Sequence, residues 1–205
     1  ALPIYAKEIY LIGDFNDWKE HGDYRMYHVK NSPGVWEVEL QSGAIKHGDL
    51  YKLKVRWNGG EGERIPAWAN RVVQDEQTKI FSAQVWEPEN PYRFRKKVFR
   101  AKTDPLMIYE CHIGMAQEEE RVGTYNEFRE KILPRIAEAG YNCIQIMAIQ
   151  EHPYYGSFGY HVSSFFAPSS RFGTPDELKE LIDTAHRMGI AVIMDIVHSH
   201  AVNNE

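Results

Sequence analysis

The sequence predicts an all-β sandwich followed by an α/β domain with parallel strands. Three observations carry this. Apolar and polar residues alternate between turn signals over the first part of the chain. A Pro-punctuated, basic stretch follows near residues 88–105. Beyond it the pattern becomes strand, helix, strand, helix, strand.

Residues 7–12 read as a strand stopped by Gly13. Residues 35–40 alternate, with Trp36, Val38 and Leu40 on one face. Residues 50–57 alternate again, so Tyr51, Leu53, Val55 and Trp57 are expected inward and Lys52, Lys54 and Arg56 towards water. Asn31-Ser-Pro-Gly34 and Asn58-Gly-Gly60 supply turns. Because the sequence opens abruptly, the sandwich is expected to lack its first strand. These elements assign residues 1–100 to the sandwich, with the linker at 88–105, and residues 106–205 to the α/β part.

In the second part, residues 106–110 form the first expected strand. Thr124-Tyr-Asn-Glu127 is a capping box, in which hydroxyl and carboxylate satisfy free amides at a helix start. Phe128, Ile132, Leu133 and Ile136 line one face of that helix, Pro134 should kink or interrupt it, and Gly140 ends it. Residues 143–148 are the second strand. Thr174-Pro-Asp-Glu177 opens the next helix, with Leu178, Leu181, Ile182 and Ala185 as its apolar stripe and Gly189 as its stop. Residues 190–197 are nearly all apolar, as in a parallel strand buried on both faces. Three strands complete neither a barrel nor a doubly wound sheet, so the domain is an open one or a truncated barrel. A truncated barrel would expose Ile193, Ile196 and Ile146 and favour self-association.

With 43% hydrophobic and 26% charged residues the chain is globular, and no apolar run reaches the ~18 residues of a membrane helix. The first residues carry no basic stretch ahead of an apolar one, so no signal peptide is expected. A net charge of −5 without a Lys/Arg stripe argues against nucleic acid or membrane as partner. Cys111 and Cys143 lie in apolar runs and read as free thiols, which suits a cytoplasmic location. Aromatic residues make up 13% of the chain, and flat rings suit the apolar faces of sugars as well as protein cores.

In either α/β architecture the site lies at the carboxyl ends of the strands. Three segments qualify: Glu110-Cys-His112, the aromatic-rich connection over residues 150–172, and Asp195-Ile-Val-His-Ser-His200. In the last, Asp195, His198 and His200 are compatible with a metal-dependent hydrolase, with core groups bonded to backbone, or with a polar substrate pocket. No nucleophile elbow, phosphate-cradling loop or dinucleotide fingerprint is present, and Gly60-Glu-Gly62 reads as a turn. No cofactor is expected.

Asp195-Ile-Val-His-Ser-His200 resembles the first conserved region of glycoside hydrolase family 13, the α-amylase family. Tyr109-Glu-Cys-His-Ile-Gly-Met115, Leu133-Pro-Arg-Ile136, Gly140-Tyr-Asn-Cys-Ile-Gln145, Ser157-Phe-Gly-Tyr160 and Phe172-Gly-Thr-Pro175 resemble the eukaryotic-type 1,4-α-glucan branching enzymes. Gly13-Asp-Phe-Asn-Asp-Trp18 and Ile65-Pro-Ala-Trp68 resemble the family 48 carbohydrate-binding module that precedes such barrels. The resemblance covers nearly the whole chain. It implies an immunoglobulin-like glucan-binding module followed by the first three βα units of a (β/α)8 TIM barrel. The implied activity cuts an α-1,4 glucan and rejoins it to a 6-hydroxyl, with glycogen, amylose or maltooligosaccharides as partner. Tyr160, Asp195 and His200 inherit roles around the sugar to be cleaved: a stacking ring and two polar groups. The family's nucleophile and acid/base are expected beyond Glu205, so no catalytic residue is assigned and these residues alone are expected to be inactive. A stand-alone glucan-binding or scaffold protein is the alternative. Trp18 and Lys52 match residues that contact glucan in the β subunits of AMP-activated kinase, which the module resembles.

Overall fold

The structure is a computed structural model and describes residues 5–101 and 105–202. Backbone contacts divide the chain into two units, one ending at Pro88 and one starting at Glu89.

The first unit contains β1 (Ala6–Gly13), β2 (Arg25–His28), β3 (Trp36–Glu37), β4 (Leu50–Trp57), β5 (Gly60–Arg64), β6 (Val72–Gln74) and β7 (Phe81–Gln84). All pairings are antiparallel, in the order β3-β2-β1-β4-β7-β6, with β5 also on β4. The β4–β5 hairpin turns through Asn58 and Gly59, as their turn chemistry predicts, and Gly59 takes φ +88°. Ile9, Leu11, Ile12, Val55, Ile65, Val72 and Ala83 are buried in this unit.

Two expectations change here. Residues 35–40 give only the two-residue β3, an edge strand that among the described residues pairs with Tyr27 and His28. Lys52 does not face water. It is 6% exposed, with Nζ 3.5 Å from Glu63 Oε2. The cause is a change of neighbour along one edge of β4: Tyr51 pairs with Ala83 of β7, whereas Leu53 pairs with Arg64 of β5. Lys52 lies at that fork, where simple alternation no longer describes which side is covered.

The second unit is built on β8 (Ile108–Cys111), followed by a helical crossover to β9 (Cys143–Ile146). The crossover consists of α1 (Tyr125–Glu127), a π segment (Phe128–Ile132) and α2 (Leu133–Glu138). At its start Thr124 Oγ1 accepts from Glu127 N at 3.2 Å, and the Glu127 carboxylate accepts from Thr124 N at 3.1 Å. Pro134 has no amide to donate, and the ladder widens just ahead of it, Leu133 N bonding Phe128 O. After β9 come a hairpin of β10 (Gln150–Glu151) and β11 (Ser164–Pro168), then α3 (Pro175–Arg187) and β12 (Ala191–Met194). Strands β12, β9 and β8 form a parallel sheet in that order, with Ile108, Cys143 and Ala191 in register. Helix α3 begins with a second reciprocal cap between Thr174 and Glu177 and with Pro175 as its first residue. Tyr125, Phe128, Leu133, Ile144, Ile146, Phe172, Leu181 and Ile190 fill the core between sheet and helices. Cys111 and Cys143 are free and buried.

Residues 92–99, within the segment read as linker, pack as part of this unit. The Tyr92 hydroxyl donates to Asp183 Oδ2 at 2.7 Å, and the amides of Arg95 and Lys96 donate to the same carboxylate at 3.0 and 2.9 Å. Phe99 stacks on His186 at 4.1 Å. Asp183 is fully buried on α3, and these donors keep its carboxyl below the usual range although burial opposes its charge. Strand β12 departs from the expectation of burial on both faces: Ile193, Met194 and Ile196 are 40%, 45% and 41% exposed. It is the edge of a three-stranded sheet, and among the described residues it pairs only with β9. Ile146, on the central strand, is buried, contrary to the expected exposed patch.

Candidate functional site

The carboxyl ends of the parallel strands lie together. Asp195 N donates to Ile146 O at 3.0 Å and Met147 N to Cys111 O at 2.9 Å, so the ladder runs one step past β12 and β9 before the chain diverges. The connection over residues 150–172 is tied to this end. Gln150 Nε2 donates to Phe165 O at 3.1 Å, Val197 N donates to Gln150 Oε1 at 3.2 Å, and Val202 N to Val162 O at 2.9 Å. Phe158 and Gly159 take φ of +54° and +89°. A Cβ on Gly159 would stand 2.1 Å from Ala148 O, so only glycine fits that approach.

The turn brings Tyr160 Oη to 3.4 Å from Asp195 Oδ2. Burial and the neighbouring carboxylate both raise the Tyr160 phenol, so it stays a neutral donor. His200 has a different partner, with Nδ1 2.7 Å from Ser199 Oγ, and His198 stacks on Phe165 at 5.8 Å. Asp195, His198 and His200 are therefore engaged separately, and among the described residues no group of three or more His, Cys, Asp or Glu side chains is placed to hold a metal.

Beneath the loop lies a polar knot that the sequence reading passed over. Glu151, fully buried, accepts Ser170 N at 2.7 Å and His152 N at 3.0 Å, and Arg171 Nη1 stands 3.4 Å away. Arg171 also donates to the carbonyls of His152 and, at 2.8 Å, Pro153. The knot joins the two ends of the connection. Its sequence signal was an acid directly after a strand residue and an arginine twenty positions on, a spacing that means nothing until the chain folds back.

In the first unit Trp18 is 37% exposed and follows Asp17, both at positive φ. The Gly13–Trp18 run bonds itself: Gly13 N to Asn16 Oδ1 at 2.9 Å, Asn16 Nδ2 to Leu11 O at 3.0 Å, and Trp18 Nε1 to Asp14 Oδ1 at 3.0 Å. This presents the indole on a braced turn, whereas the buried Lys52 offers little ammonium to a ligand. Trp68 is more open, at 78%.

A family model of the alpha amylase catalytic domain matches residues 77–205. The chain belongs to the alpha-amylase family. A second model, carbohydrate-binding module 48 (isoamylase N-terminal domain), matches residues 5–69 of this alpha-amylase family chain. Similar curated proteins include the 1,4-alpha-glucan-branching enzyme of Dictyostelium discoideum, 45% identical over 205 residues, covering 97% of this chain and 30% of that protein. The 1,4-alpha-glucan-branching enzyme 2-2, chloroplastic/amyloplastic, of Arabidopsis thaliana is 48% identical over 206 residues, covering 97% of this chain and 25% of its own length. The chain thus spans 25–30% of the length of these two relatives. Among solved structures, a pullulanase of Group B Streptococcus in complex with maltotetraose superposes with a TM-score of 0.74 at 20% identity, covering 94% of this chain and 30% of that one. That likeness is one of fold: a sheet-rich module ahead of a partial amylase barrel.

Proposed function

We propose that these residues supply the glucan-binding module and part of the donor-sugar pocket of a 1,4-α-glucan branching enzyme. The observation that carries the reading is the pairing of Tyr160 with Asp195 at the carboxyl ends of the parallel strands. The phenol ring offers a flat support for the apolar face of a glucose unit, and Asp195 accepts from a sugar hydroxyl. His200 turns from Ser199 to donate to another. The reaction breaks a C1–O4 bond, links C1 to a carboxylate nucleophile, and then forms C1–O6 on the acceptor chain. The acid/base carboxyl gives its proton to O4 and recovers one from the 6-hydroxyl. Both catalytic carboxyl groups belong, on this reading, to parts of the enzyme outside these residues.

Trp18 on its braced turn is the proposed contact of the first unit with α-glucan. The module-48 match supports that role. The two buried free thiols support a reducing compartment such as the cytoplasm. The exposed apolar residues of β12 support self-association of the isolated chain.

The test uses the full-length protein on amylose, with α-1,6 anomeric protons counted by NMR. Branches should accumulate with the native protein and nearly vanish with Asp195→Ala. Amylose left unbranched by the native protein would refute the reading.

A further inference from the structure

The turn that carries Tyr160 doubles back on itself, Phe158 N donating to Tyr155 O at 2.9 Å and Tyr160 N to Ser157 O at 3.0 Å. Between these bonds the Phe158 carbonyl meets one side chain from another element: Nε2 of His112, just past β8, at 3.2 Å. A carbonyl only accepts, so Nε2 carries the ring proton and Nδ1 is bare. Nδ1 is buried and has no partner among the described residues, on a side chain whose residue is 7% exposed. Tyr155, Phe158 and Phe172 close around the imidazole edge-on, with centroids at 6.2, 6.0 and 5.6 Å. An apolar ring would fill this space without an unpaired acceptor, so packing alone does not account for a histidine here. Among the described residues, the ring's hydrogen bond to another residue is the one to Phe158 O.

We infer that His112 is a positioning residue: by donating to the Phe158 carbonyl it sets the turn that holds Tyr160 against Asp195. This rests on the sugar-pocket reading of that pair given above. The turn's own backbone bonds leave the Phe158 carbonyl without a role, and the approach of Gly159 to Ala148 O fixes how close the turn comes but not the direction of that carbonyl. His112 supplies the direction.

Two amide replacements separate this role from a merely structural one. In His112→Gln the side-chain nitrogen stands as many bonds from Cβ as Nε2 does. In His112→Asn it stands where Nδ1 does, out of reach of Phe158 O. In the full-length protein the Asn variant should lose about tenfold in kcat on amylose with KM changed much less, and the Gln variant should recover most of that loss. In the 205-residue chain, amide exchange at Tyr160 should be faster with Asn than with Gln. Nitrogen-15 spectra of the native chain should show His112 protonated at Nε2 only. Equal behaviour of the two variants, native-like turnover in the Asn variant, or a proton on Nδ1 would overturn the inference. If the native protein makes no α-1,6 linkages, the branching reading falls, while exchange and tautomer still decide the role of His112. If the Asn variant fails to fold, the tautomer and the Gln variant decide it.

Discussion

Asp14 binds Trp18 with one carboxylate oxygen, 3.0 Å from the indole Nε1, and the Leu50 amide with the other at 2.7 Å. One carboxylate thus fastens an exposed ring to the start of β4. Trp18→Ala should abolish the shift seen when maltoheptaose is titrated into the chain. Asp14→Ala should weaken binding while leaving the ring in place, and lower unfolding stability by about 1 kcal/mol for the lost backbone bond. Unchanged affinity in both variants would remove Trp18 from the glucan contact.

Alanine at Asp195 or His200 in the full-length enzyme should lower kcat by about 100-fold, roughly 2.7 kcal/mol of transition-state stabilisation. The melting temperature should move little, because both side chains lie at the solvent-facing end of the sheet. Turnover near that of the native enzyme in His200→Ala would confine the pocket to Tyr160 and Asp195.

Stability should fall with acid in a window set by two buried histidines and by the half-buried His186, which burial lowers in the same sense. Burial lowers both His152 and His112 below the ordinary 6.5. The unfolded chain therefore binds protons first, and stability present above about pH 6.5 is lost as pH falls towards the folded values. Glu127, held down to about 2 chiefly by Arg121, loses its contribution in a separate window below its ordinary 4.5. Glu151 is raised by burial and acts in the opposite sense above pH 4.5. The urea midpoint of native chain minus that of His152→Phe, followed from pH 8 to pH 5, isolates the His152 contribution. A difference independent of pH would contradict it.

Gly159→Ala should destabilise the second unit by about 2–4 kcal/mol, since it combines positive φ with a collision against a backbone oxygen. Tyr92→Phe should cost about 1–3 kcal/mol by taking a donor from the buried Asp183. Denaturant melts followed by tryptophan-independent circular dichroism check both.

The β12 edge should make the chain associate as its concentration rises. Sedimentation velocity on native chain and on Ile193→Lys should show larger species only in the former; a monomer in both would assign the exposed residues no such role.

What could be read in the sequence was whatever depends on near neighbours. The Thr124 capping box, the start of α3 at Thr174-Pro175, the Asn58-Gly59 turn and the irregularity ahead of Pro134 need only residues a few positions apart, and each stands where its chemistry places it. Lys52 and β12 were misread because burial depends on which strands lie alongside, and alternation carries no information about a change of partner or a missing one. Strand topology gathers the segments of Tyr160 and Asp195 at one end of the sheet, but which two residues meet across 35 positions was legible only through family resemblance. His112 lay in a segment expected at the site, but its bond to Phe158, 46 residues away, and the Glu151–Arg171 knot could not be read for the same reason.

The anchoring of residues 92–99 on α3 decides where the molecule can be dissected. A piece meant to isolate the α/β unit and begun at Leu106, the first residue of the expected strand, would leave the Asp183 carboxylate inside the fold without Tyr92, Arg95 and Lys96, and His186 without Phe99. Such a piece should aggregate on expression or draw water into α3. Excision at Glu89 keeps every one of those donors, and by this criterion it is the place to cut.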